Sequence, residues 1–283
     1  MTRPVLLTLG HGYSAAALAA RLGPAWRRIG VTRSAARAAA MRAAGVEPVD
    51  WADAAAVDAA IAAASHVLVS APPDLAGDPA LLRHGAALRA RGPAWLGYLS
   101  TTGVYGDRRG GWVHEESALI PAGPRGRARV AAEAAWLAAG LPAVEVFRLA
   151  GIYGPGRSAL DRLREGRAQR VVKPGQIFSR IHVDDIAGAL AAGIAGPEAG
   201  AIWNVADDEP APPQDVIAFA ADLLGMPPPA EVAFADAALS PMAQSFYGEC
   251  KRVANARLRA RPGFVLVHPD YRAGLRAILA AGG

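Results

Sequence analysis

Three observations predict an α/β fold with a parallel sheet covered by helices on both faces. Six short runs rich in β-branched and aromatic residues recur within the first 150 residues. Alanine-rich stretches of helical length separate these runs, and past residue 150 the alternation gives way to loops rich in Pro and Gly. Because parallel neighbours need a crossover helix, this order predicts a doubly wound parallel sheet followed by a smaller C-terminal part.

The predicted strands and helices alternate in a regular order. Strands are predicted at 5–9, 26–32, 46–49, 66–70, 94–100 and 143–149, and helices at 13–22, 34–44, 53–64, 78–91 and 127–139. The later loops are YGPGR (153–157), KPG (173–175), EPAPP (209–213) and MPPP (226–229). We therefore expect a sheet domain over 1–150, with segments near 177–205 returning to it, and a smaller part over 151–283.

Composition excludes several classes of protein. The 283 residues are 52% hydrophobic and 19% charged, as in a globular enzyme. No run approaches 18 uncharged apolar residues, so we expect no membrane contact. The first apolar run, 5–9, is too short for a signal-peptide core, which favours a cytoplasmic protein. Cys250 is the only cysteine, which rules out an internal disulfide, and the six histidines show no metal-binding spacing, so no metal is predicted.

The net charge of +5 comes almost entirely from arginine. The arginines are scattered over every segment, without a basic run or interleaved aromatic residues, so we expect no nucleic-acid partner. Individual arginines remain available for an anionic ligand.

The first predicted strand ends in LGHGYSAAALAARL, which has the spacing G-x-G-x-x-A. Glycine allows a tight turn there and lets the backbone approach a pyrophosphate at the start of the next helix. We interpret the segment as the phosphate-binding loop of a dinucleotide site, with a merely structural turn as the alternative. The candidate cofactor residues of this loop are Gly10, His11, Gly12, Tyr13, Ser14 and Ala15.

The end of the second strand normally carries an acidic residue that binds the ribose of NAD. This chain has GVTRSAAR there, so Arg33, Ser34 and Arg37 would suit a 2′-phosphate. We predict NADP as the preferred cofactor and NAD as the second choice. The alternative is that Arg33 is simply solvated.

Two further segments follow predicted strands at the same edge. Asp50 and Trp51 follow the third strand and could flank the adenine, although Asp50 or Asp53 could equally begin a helix. Ser70, Ala71 and Pro72 close the fourth strand, where a cofactor would lie. The sequence therefore predicts a Rossmann-like sheet with a small C-terminal substrate-covering part.

Four segments occur in an order that resembles a known family. They are STTGVYG (100–106), FRLAGIYGPGR (147–157), IHVDDIAGAL (181–190) and NVADDEP (204–210). This order resembles the extended short-chain dehydrogenase/reductases, the NAD-dependent epimerase/dehydratase family, over nearly the whole chain. The resemblance implies an NAD(P)-binding enzyme.

The resemblance also assigns the reacting groups. It implies that Thr101 holds the substrate oxygen, and Ser100 places a second hydroxyl beside the nicotinamide. Aligning the family's Tyr-x-x-x-Lys pattern on GPRGRARVAAE places Arg125 at the Tyr and Arg129 at the Lys. The stretch after the sixth strand lines the nicotinamide in this family. It contributes Arg148, Ala150, Gly151 and Ile152.

The two arginines change the expected chemistry. Arginine stays protonated, so Arg125 cannot be the general base that Tyr provides, although it could stabilise an oxyanion or bind a carboxylate or phosphate. Arg129 could still bind ribose hydroxyls. Tyr105, Tyr153 and His182 are alternative proton-transfer groups, each at a family landmark that is more often structural. This departure is typical of atypical subgroups of the family.

Two functions remain open at this point. The first is an oxidoreductase or epimerase/dehydratase acting on a carbonyl or secondary alcohol, including those of sugars and sugar nucleotides. The second is a catalytically inactive NAD(P)-binding sensor on the same fold. The expected partners are a small-molecule substrate, for which an anionic one would suit, and a second copy of the chain, since dimers are frequent in this family.

Overall fold

The computed structural model describes residues 3–282 and contains a seven-stranded parallel sheet with helices on both faces. The strands of the sheet are β1 (Val5–Leu9), β2 (Arg27–Thr32), β3 (Glu47–Asp50), β4 (His66–Val69), β5 (Trp95–Thr101), β7 (Val144–Leu149) and β11 (Ile202–Val205). Their spatial order is β11-β7-β5-β4-β1-β2-β3, and every neighbouring pair is parallel. The order reverses at β1 and β4, so the predicted doubly wound, Rossmann-like α/β class is confirmed.

Helices cover this sheet and build the C-terminal part. They are α1 (Tyr13–Leu22), α2 (Ala35–Ala43), α3 (Ala54–Ala63), α4 (Pro79–Arg91), α5 (Pro124–Leu137), α6 (Ala159–Arg164), α7 (Val183–Ala195), α8 (Pro213–Leu223), α9 (Pro241–Tyr247), α10 (Ala256–Arg259) and α11 (Tyr271–Ala280). Short strands pair outside the main sheet: β6 (Trp112–Val113) with β13 (Arg252–Val253), β8 (Gly151–Tyr153) with β10 (Arg180–His182), and β9 (Arg170–Val172) with β12 (Glu231–Ala233). Single 3₁₀ turns occupy Gly23–Ala25 and Thr102–Tyr105.

The hydrophobic core has one layer on each face of the sheet. On one face Leu6 and Leu68 pack with Leu18 of α1 and Leu190 of α7. On the other face the strands pack against helices that include Trp136 of α5. Both faces of the central strands are thus buried, which explains their nearly continuous apolar runs.

The start of α5 differs from the prediction. The sequence predicts this helix from 127, but it begins at Pro124 after the N-cap Gly123. Proline fits the first helical position because its ring fixes φ and its missing N–H would be unpaired there anyway. Arg125, Arg127 and Arg129 all lie within the helix as a result.

The chain returns to the main sheet after residue 150. β11 pairs with the outer edge of β7. α7 packs against α1 on one face of the sheet. α6, α8 and α11 form a separate small core with Tyr153 and Tyr271. The boundaries of the two domains remain a prediction. Among the helices in residues 3–282, none combines the length and apolar character needed to cross a membrane.

Candidate functional site

The carboxyl ends of β1 and β4 meet where the strand order reverses. The backbone N–H groups of Ser70 and Ala71 both donate to Leu9 O, at 2.9 and 3.1 Å. Ser70 Oγ donates to Gly10 O at 2.5 Å. In open α/β sheets, ligands bind in the crevice at this point. The two loops therefore form one rigid wall of the candidate cofactor site.

The two glycines of the first loop have different surroundings. Gly10 has φ +89°, and an added Cβ would lie 2.9 Å from Ala71 N, so any side chain is excluded by the protein itself. Gly12 has φ −95°, and no described atom lies within 4 Å of its Cβ position. Internal packing therefore does not require glycine at position 12. The open space at this position would admit a pyrophosphate at the start of α1, as the sequence predicts.

Three side chains of this loop point into the protein. His11 is 9% exposed, and its Nδ1 lies 2.8 Å from Thr8 Oγ1. Ser14 and Ala15 are buried against the core. Burial and the Thr8 contact hold the His11 imidazole inside, so a cofactor contact of His11 would be made by its backbone, and that contact remains a prediction. Ala15 instead allows the close packing of α1 that a dinucleotide loop needs.

Tyr13 joins this loop to the later loop 154–157. Its hydroxyl donates to Pro155 O at 2.9 Å, and the Arg157 guanidinium lies 6.0 Å from its ring centre. Burial raises the pKa of Tyr13 to about 12. The phenol is therefore a neutral hydrogen-bond donor rather than a base at neutral pH, and it closes one side of the candidate pyrophosphate site.

The end of β2 carries exposed positive charge. Ser34 caps α2 by accepting from Arg37 N at 3.3 Å, and it therefore fixes the direction of that helix. Arg33 and Arg37 are exposed, and neither forms an ion pair with any residue between 3 and 282. Both guanidinium groups remain available to a ligand at this edge.

Asp50, Trp51 and the end of β4 frame the same edge. Asp50 Oδ1 accepts from Ala52 N at 3.0 Å, while Asp53 caps α3, so the helix-start alternative applies to Asp53. The Trp51 ring packs edge-on against His84, with centres 5.5 Å apart. Ser70, Ala71 and Pro72 stay partly or fully accessible at the wall described above.

Thr101 ends β5 and meets the start of α5. Its Oγ1 accepts from Gly103 N at 3.1 Å, which leaves its own O–H proton free to be donated to a ligand. A Cβ on Gly126 would lie 3.3 Å from Gly103 O, so the first turn of α5 rests on the turn after Thr101. The structure thus brings Thr101 and the Arg125 segment together.

Arg125 and Arg129 have different roles in the structure although they lie one turn apart. Arg129 Nη1 donates to Leu99 O at 2.6 Å and to Tyr98 OH at 3.0 Å. These bonds fasten α5 to β5, a positioning function that the sequence did not indicate. Arg125 is exposed and makes no hydrogen bond or ion pair within residues 3–282. Arg125 is therefore an exposed cation without a partner among the described residues, and its contact with a substrate remains a prediction.

Ser100 and Arg148 belong to a buried polar network. Arg148 forms an ion pair with Glu133 at 2.8 Å, and both side chains are 3% exposed. Arg148 Nη1 also donates to Tyr105 OH and to Glu115 O, each at 2.9 Å. Ser100 Oγ donates to Glu133 Oε1. The polar atoms of the Ser100 and Arg148 side chains thus bind partners within the core, and the cofactor role expected of these two residues remains a prediction.

The alternative proton-transfer groups are also engaged. Tyr105 OH donates to Asn204 Oδ1 at 2.6 Å, and Tyr153 OH donates to Asp270 O at 3.3 Å. Burial raises the pKa of each phenol. Burial, together with neighbouring His268, lowers the pKa of His182 to about 4, so that imidazole is neutral at neutral pH. None of the three is a suitable general base for this site.

His182, Asp184 and His268 lie close enough together to be considered as metal ligands. Asp184 Oδ2 lies 3.5 Å from His182 Nδ1 and 3.4 Å from His268 Nε2. However, His182 Nδ1 accepts from Asp184 N at 3.2 Å and so caps α7. The lone pair that would bind a metal is committed to the helix, which argues for a capping cluster.

Ala150, Gly151 and Ile152 lie directly after β7. Ala150 N donates to Val205 O at 3.0 Å, and Gly151 N donates to Ser179 O at 3.1 Å. The segment thus links the main sheet to β10 through β8. Its placement at the carboxyl edge is compatible with the cofactor position implied by the resemblance, and a cofactor contact there remains a prediction.

A second concave region was not predicted from the sequence. It is lined by residues of three distant segments, among them Arg109, Gln176 and Cys250. No sequence spacing connects 109, 176 and 250, so only the folded chain reveals that they share a cavity.

Comparison with known proteins shows what the chain is similar to. No family model matches the chain. A conserved protein of unknown function from Silicibacter pomeroyi is 49% identical, with 98% of this chain and 99% of that chain covered and a TM-score of 0.90. A structure assigned as an NAD-dependent epimerase/dehydratase from Methylobacillus flagellatus is 26% identical over 100% of this chain and 99% of that one, with a TM-score of 0.73. Structural neighbours of the chain thus include a protein assigned to the NAD-dependent epimerase/dehydratase family.

One curated relative is a reductase. The 3-diazoavenalumate denitrifying reductase of a Streptomyces species is 33% identical over 141 residues, which are 46% of this chain and 45% of that protein. The chain spans about half the length of the curated relatives it matches. The comparison leaves the atypical subgroup, the substrate and the site residues as predictions.

Proposed function

We propose that the chain is an NAD(P)-dependent oxidoreductase that reduces a carbonyl, or an equivalent electrophilic centre, of a small anionic substrate. The observation that carries this proposal is the contact between the turn after Thr101 and the first turn of α5, the turn that also carries Arg125, an exposed cation without a partner among the described residues. Thr101 keeps the family's Ser/Thr position and Arg125 stands at the Tyr position, so both groups are hydrogen-bond donors.

The chemistry of the two donors favours reduction. A bound nicotinamide would supply hydride. Thr101 would donate its free hydroxyl proton in a hydrogen bond to the substrate oxygen, and Arg125 would stabilise the negative charge that develops on it. Neither residue removes a proton at neutral pH, so the pair suits oxyanion formation better than alcohol oxidation. Water would provide the proton that completes the alcohol.

Cofactor binding rests on the open position at Gly12. A pyrophosphate would lie against Gly12 and the uncapped N-terminus of α1, where backbone N–H groups and the helix dipole favour negative charge. Arg33 and Arg37 would meet a 2′-phosphate, which supports NADP as the preferred form. Tyr13 and Pro155 would close the site from the side of the C-terminal part.

Turnover of NADPH with a panel of carbonyl compounds tests this proposal. We expect Thr101→Ala and Arg125→Ala each to lower kcat/KM by about 10²-fold, the usual cost of removing one oxyanion donor. Arg127→Ala, on the same helix and exposed, is the matched control and should leave turnover unchanged.

The second candidate is an NADPH-binding sensor without turnover. The bonds from Arg129 to Leu99 and Tyr98 favour it, because they engage the residue at the family's Lys position in fastening the helix. Tight NADPH binding combined with no oxidation by any carbonyl of the panel would support the sensor and rule out the reductase. Gain of turnover in the double variant Arg125→Tyr, Arg129→Lys would support it further.

A further inference from the structure

The turn 154–157 lies against the first residue of α1. Two backbone hydrogen bonds join its ends, from Arg157 N to Gly154 O at 3.0 Å and from Gly154 N to Arg157 O at 3.4 Å. β8 leads directly into this turn, and Ser158, the N-cap of α6, follows it. Both ends of the turn are therefore anchored to regular structure.

Tyr13 holds this turn in place. Its hydroxyl donates to Pro155 O at 2.9 Å. A Cβ on Gly154 would overlap the Tyr13 hydroxyl and lie 2.7 Å from Val183 Cγ1, so the turn packs against the first residues of α1 and α7 without room for a side chain. Tyr13 directly follows Gly12, where a pyrophosphate would approach α1. The turn is thus fixed next to the candidate pyrophosphate site.

Arg157 places a positive charge at this junction. Its side chain is exposed, and the central carbon of the guanidinium lies 6.0 Å from the centre of the Tyr13 ring. Burial raises the pKa of Tyr13, and the charge of Arg157 is the strongest influence that lowers it. The guanidinium therefore acts electrostatically on the residue that begins α1.

The two acids that also influence Tyr13 are engaged elsewhere. Asp161 Oδ2 accepts from Ser158 N at 2.7 Å and from Ser158 Oγ at 2.6 Å, which caps α6. Asp184 Oδ2 lies 3.4 Å from His268 Nε2. Within residues 3–282 the Arg157 guanidinium forms no ion pair and donates no hydrogen bond. It is thus an unpaired cation near a helix end that favours negative charge.

We propose that Arg157 binds the pyrophosphate of the dinucleotide, together with the backbone N–H groups at the start of α1. A guanidinium suits this task because its planar donors match two phosphate oxygens. The inference rests on the proposed function for the presence of a dinucleotide at the loop 10–15. Because α6 follows the turn and packs with α8 and α11 in the small core, a bound dinucleotide also ties the C-terminal part to the first loop.

Isothermal titration with three nucleotides tests this contact. ADP carries a diphosphate and no 2′-phosphate, 2′-AMP carries a 2′-phosphate and no diphosphate, and NADPH carries both groups. Arg157→Ala is expected to weaken the binding of NADPH and ADP about tenfold, as for one lost charge-assisted contact, and to leave 2′-AMP unchanged. Arg157→Lys keeps the charge and should recover part of the affinity for ADP.

Two further variants separate binding from structure. Arg164→Ala removes the same charge from the far end of α6, where the side chain is exposed, and should leave all three affinities unchanged. Tyr13→Phe removes the bond to Pro155 O and keeps the charge of Arg157. It should weaken ADP about threefold in the native background and no further in Arg157→Ala, because Tyr13 acts here by positioning Arg157. The melting temperature of Arg157→Ala without nucleotide should equal that of the native protein.

Three results would overturn the inference. They are an equal loss of ADP and 2′-AMP in Arg157→Ala, unchanged ADP affinity in that variant, and an equal loss of ADP in Arg164→Ala. Equal effects of Tyr13→Phe in both backgrounds would overturn the positioning role of Tyr13. A native protein that binds neither ADP nor NADPH would overturn the contact together with the cofactor site.

Carbonyl turnover, followed in the same samples, keeps this inference separate from the proposed function. A selective loss of ADP affinity in Arg157→Ala, in a protein that reduces no carbonyl compound, would overturn the reductase and leave the Arg157 contact standing. NADPH-dependent turnover with the same KM for NADPH in the native protein and in Arg157→Ala would overturn the contact and leave the reductase standing.

Discussion

Arg148 and Glu133 form an ion pair inside the protein, with Nη2 2.8 Å from Oε2 and both side chains 3% exposed. The pair joins β7 to α5 and reaches Ser100 and Tyr105 through further hydrogen bonds. The pair contacts Ser100, the neighbour of Thr101, and its Glu133 lies on α5, the helix that also carries Arg125. The position of α5, and hence of Arg125, depends on this buried pair.

Removing the charge of Glu133 should strongly destabilise the fold. Glu133→Gln leaves the Arg148 guanidinium buried without its counter-charge, which costs about 3–5 kcal/mol of unfolding free energy. Glu47→Gln, which breaks the exposed pair with Arg27, should cost less than about 1 kcal/mol. Urea unfolding of both variants measures the difference, and equal costs would contradict the structural role of the network.

Arg129 should matter for stability and Arg125 should not. Arg129→Met loses the bonds to Leu99 O and Tyr98 OH and is expected to cost about 2 kcal/mol, since two hydrogen bonds are lost and two acceptors are left. Arg125→Ala should leave the melting temperature unchanged because its side chain is exposed. A ribose-binding role for Arg129 without the fastening role predicts the opposite, a loss of NADPH affinity at constant stability.

The two glycines of the first loop should respond differently to alanine. Gly10→Ala forces a Cβ to within 2.9 Å of Ala71 N at φ +89°, so the protein should lose stability by more than about 1 kcal/mol. Gly12→Ala has open space and should fold normally, yet bind NADPH at least about tenfold more weakly because the methyl group occupies the approach to the pyrophosphate. Unaltered NADPH affinity in Gly12→Ala would exclude a pyrophosphate there.

Arg33 should decide between the two forms of the cofactor. Arg33→Ala is expected to weaken NADPH by about tenfold and NADH little, because only NADPH carries the 2′-phosphate that a guanidinium would bind. Arg42→Ala, at the other end of α2, is the control. Isothermal titration with both nucleotides makes the comparison, and an equal loss for NADPH and NADH would count against the assignment.

Asp207 should make the protein less stable as the pH rises. Burial raises the pKa of this carboxyl well above its usual value, and neither oxygen has a partner in residues 3–282. A raised folded pKa means that the charged form opposes folding above the unfolded pKa of about 3.9, and that the penalty grows until the pH passes the folded pKa.

Asp207→Asn removes this penalty. The variant should melt higher than the native protein at about pH 8, and the two should converge at about pH 4, where both carry a neutral side chain. Melting temperatures measured across this range test the sign. A variant that is less stable at high pH would indicate that Asp207 forms an ion pair in solution, for which Arg180 is the nearest candidate.

Much of the sheet could be predicted because its signals are local. The strand VLLTL and the helix that follows it were expected at 5–9 and 13–22 and lie at those residues. Periodicity, glycines and strand order suffice for such elements. The start of α5 was missed by three residues because a helical stretch rich in Arg, Gly and Pro has weak local signals, and the Pro124 start depends on its cap.

The candidate site was predictable by position but not by contact. The resemblance placed Arg125 at the family's Tyr position near Thr101, and the turn after Thr101 lies against the first turn of α5. The sequence could not show that Arg148 binds Glu133 or that Arg129 binds the carbonyl of Leu99, because these partners lie 15 and 30 residues away and depend on packing. The cavity lined by Gln176 depends on contacts that are still more distant in sequence, since Gln176 binds the carbonyl of Glu249, 73 residues along the chain.

The bond from Tyr13 to Pro155 O spans 142 residues of sequence. Tyr13 and the glycines beside it are synthesised early. Pro155 is synthesised only after most of the strands of the main sheet. The dinucleotide loop therefore gains its closing contact late in synthesis, when the C-terminal half begins to fold. A nascent chain would acquire most of its sheet first and the contact between these two loops afterwards.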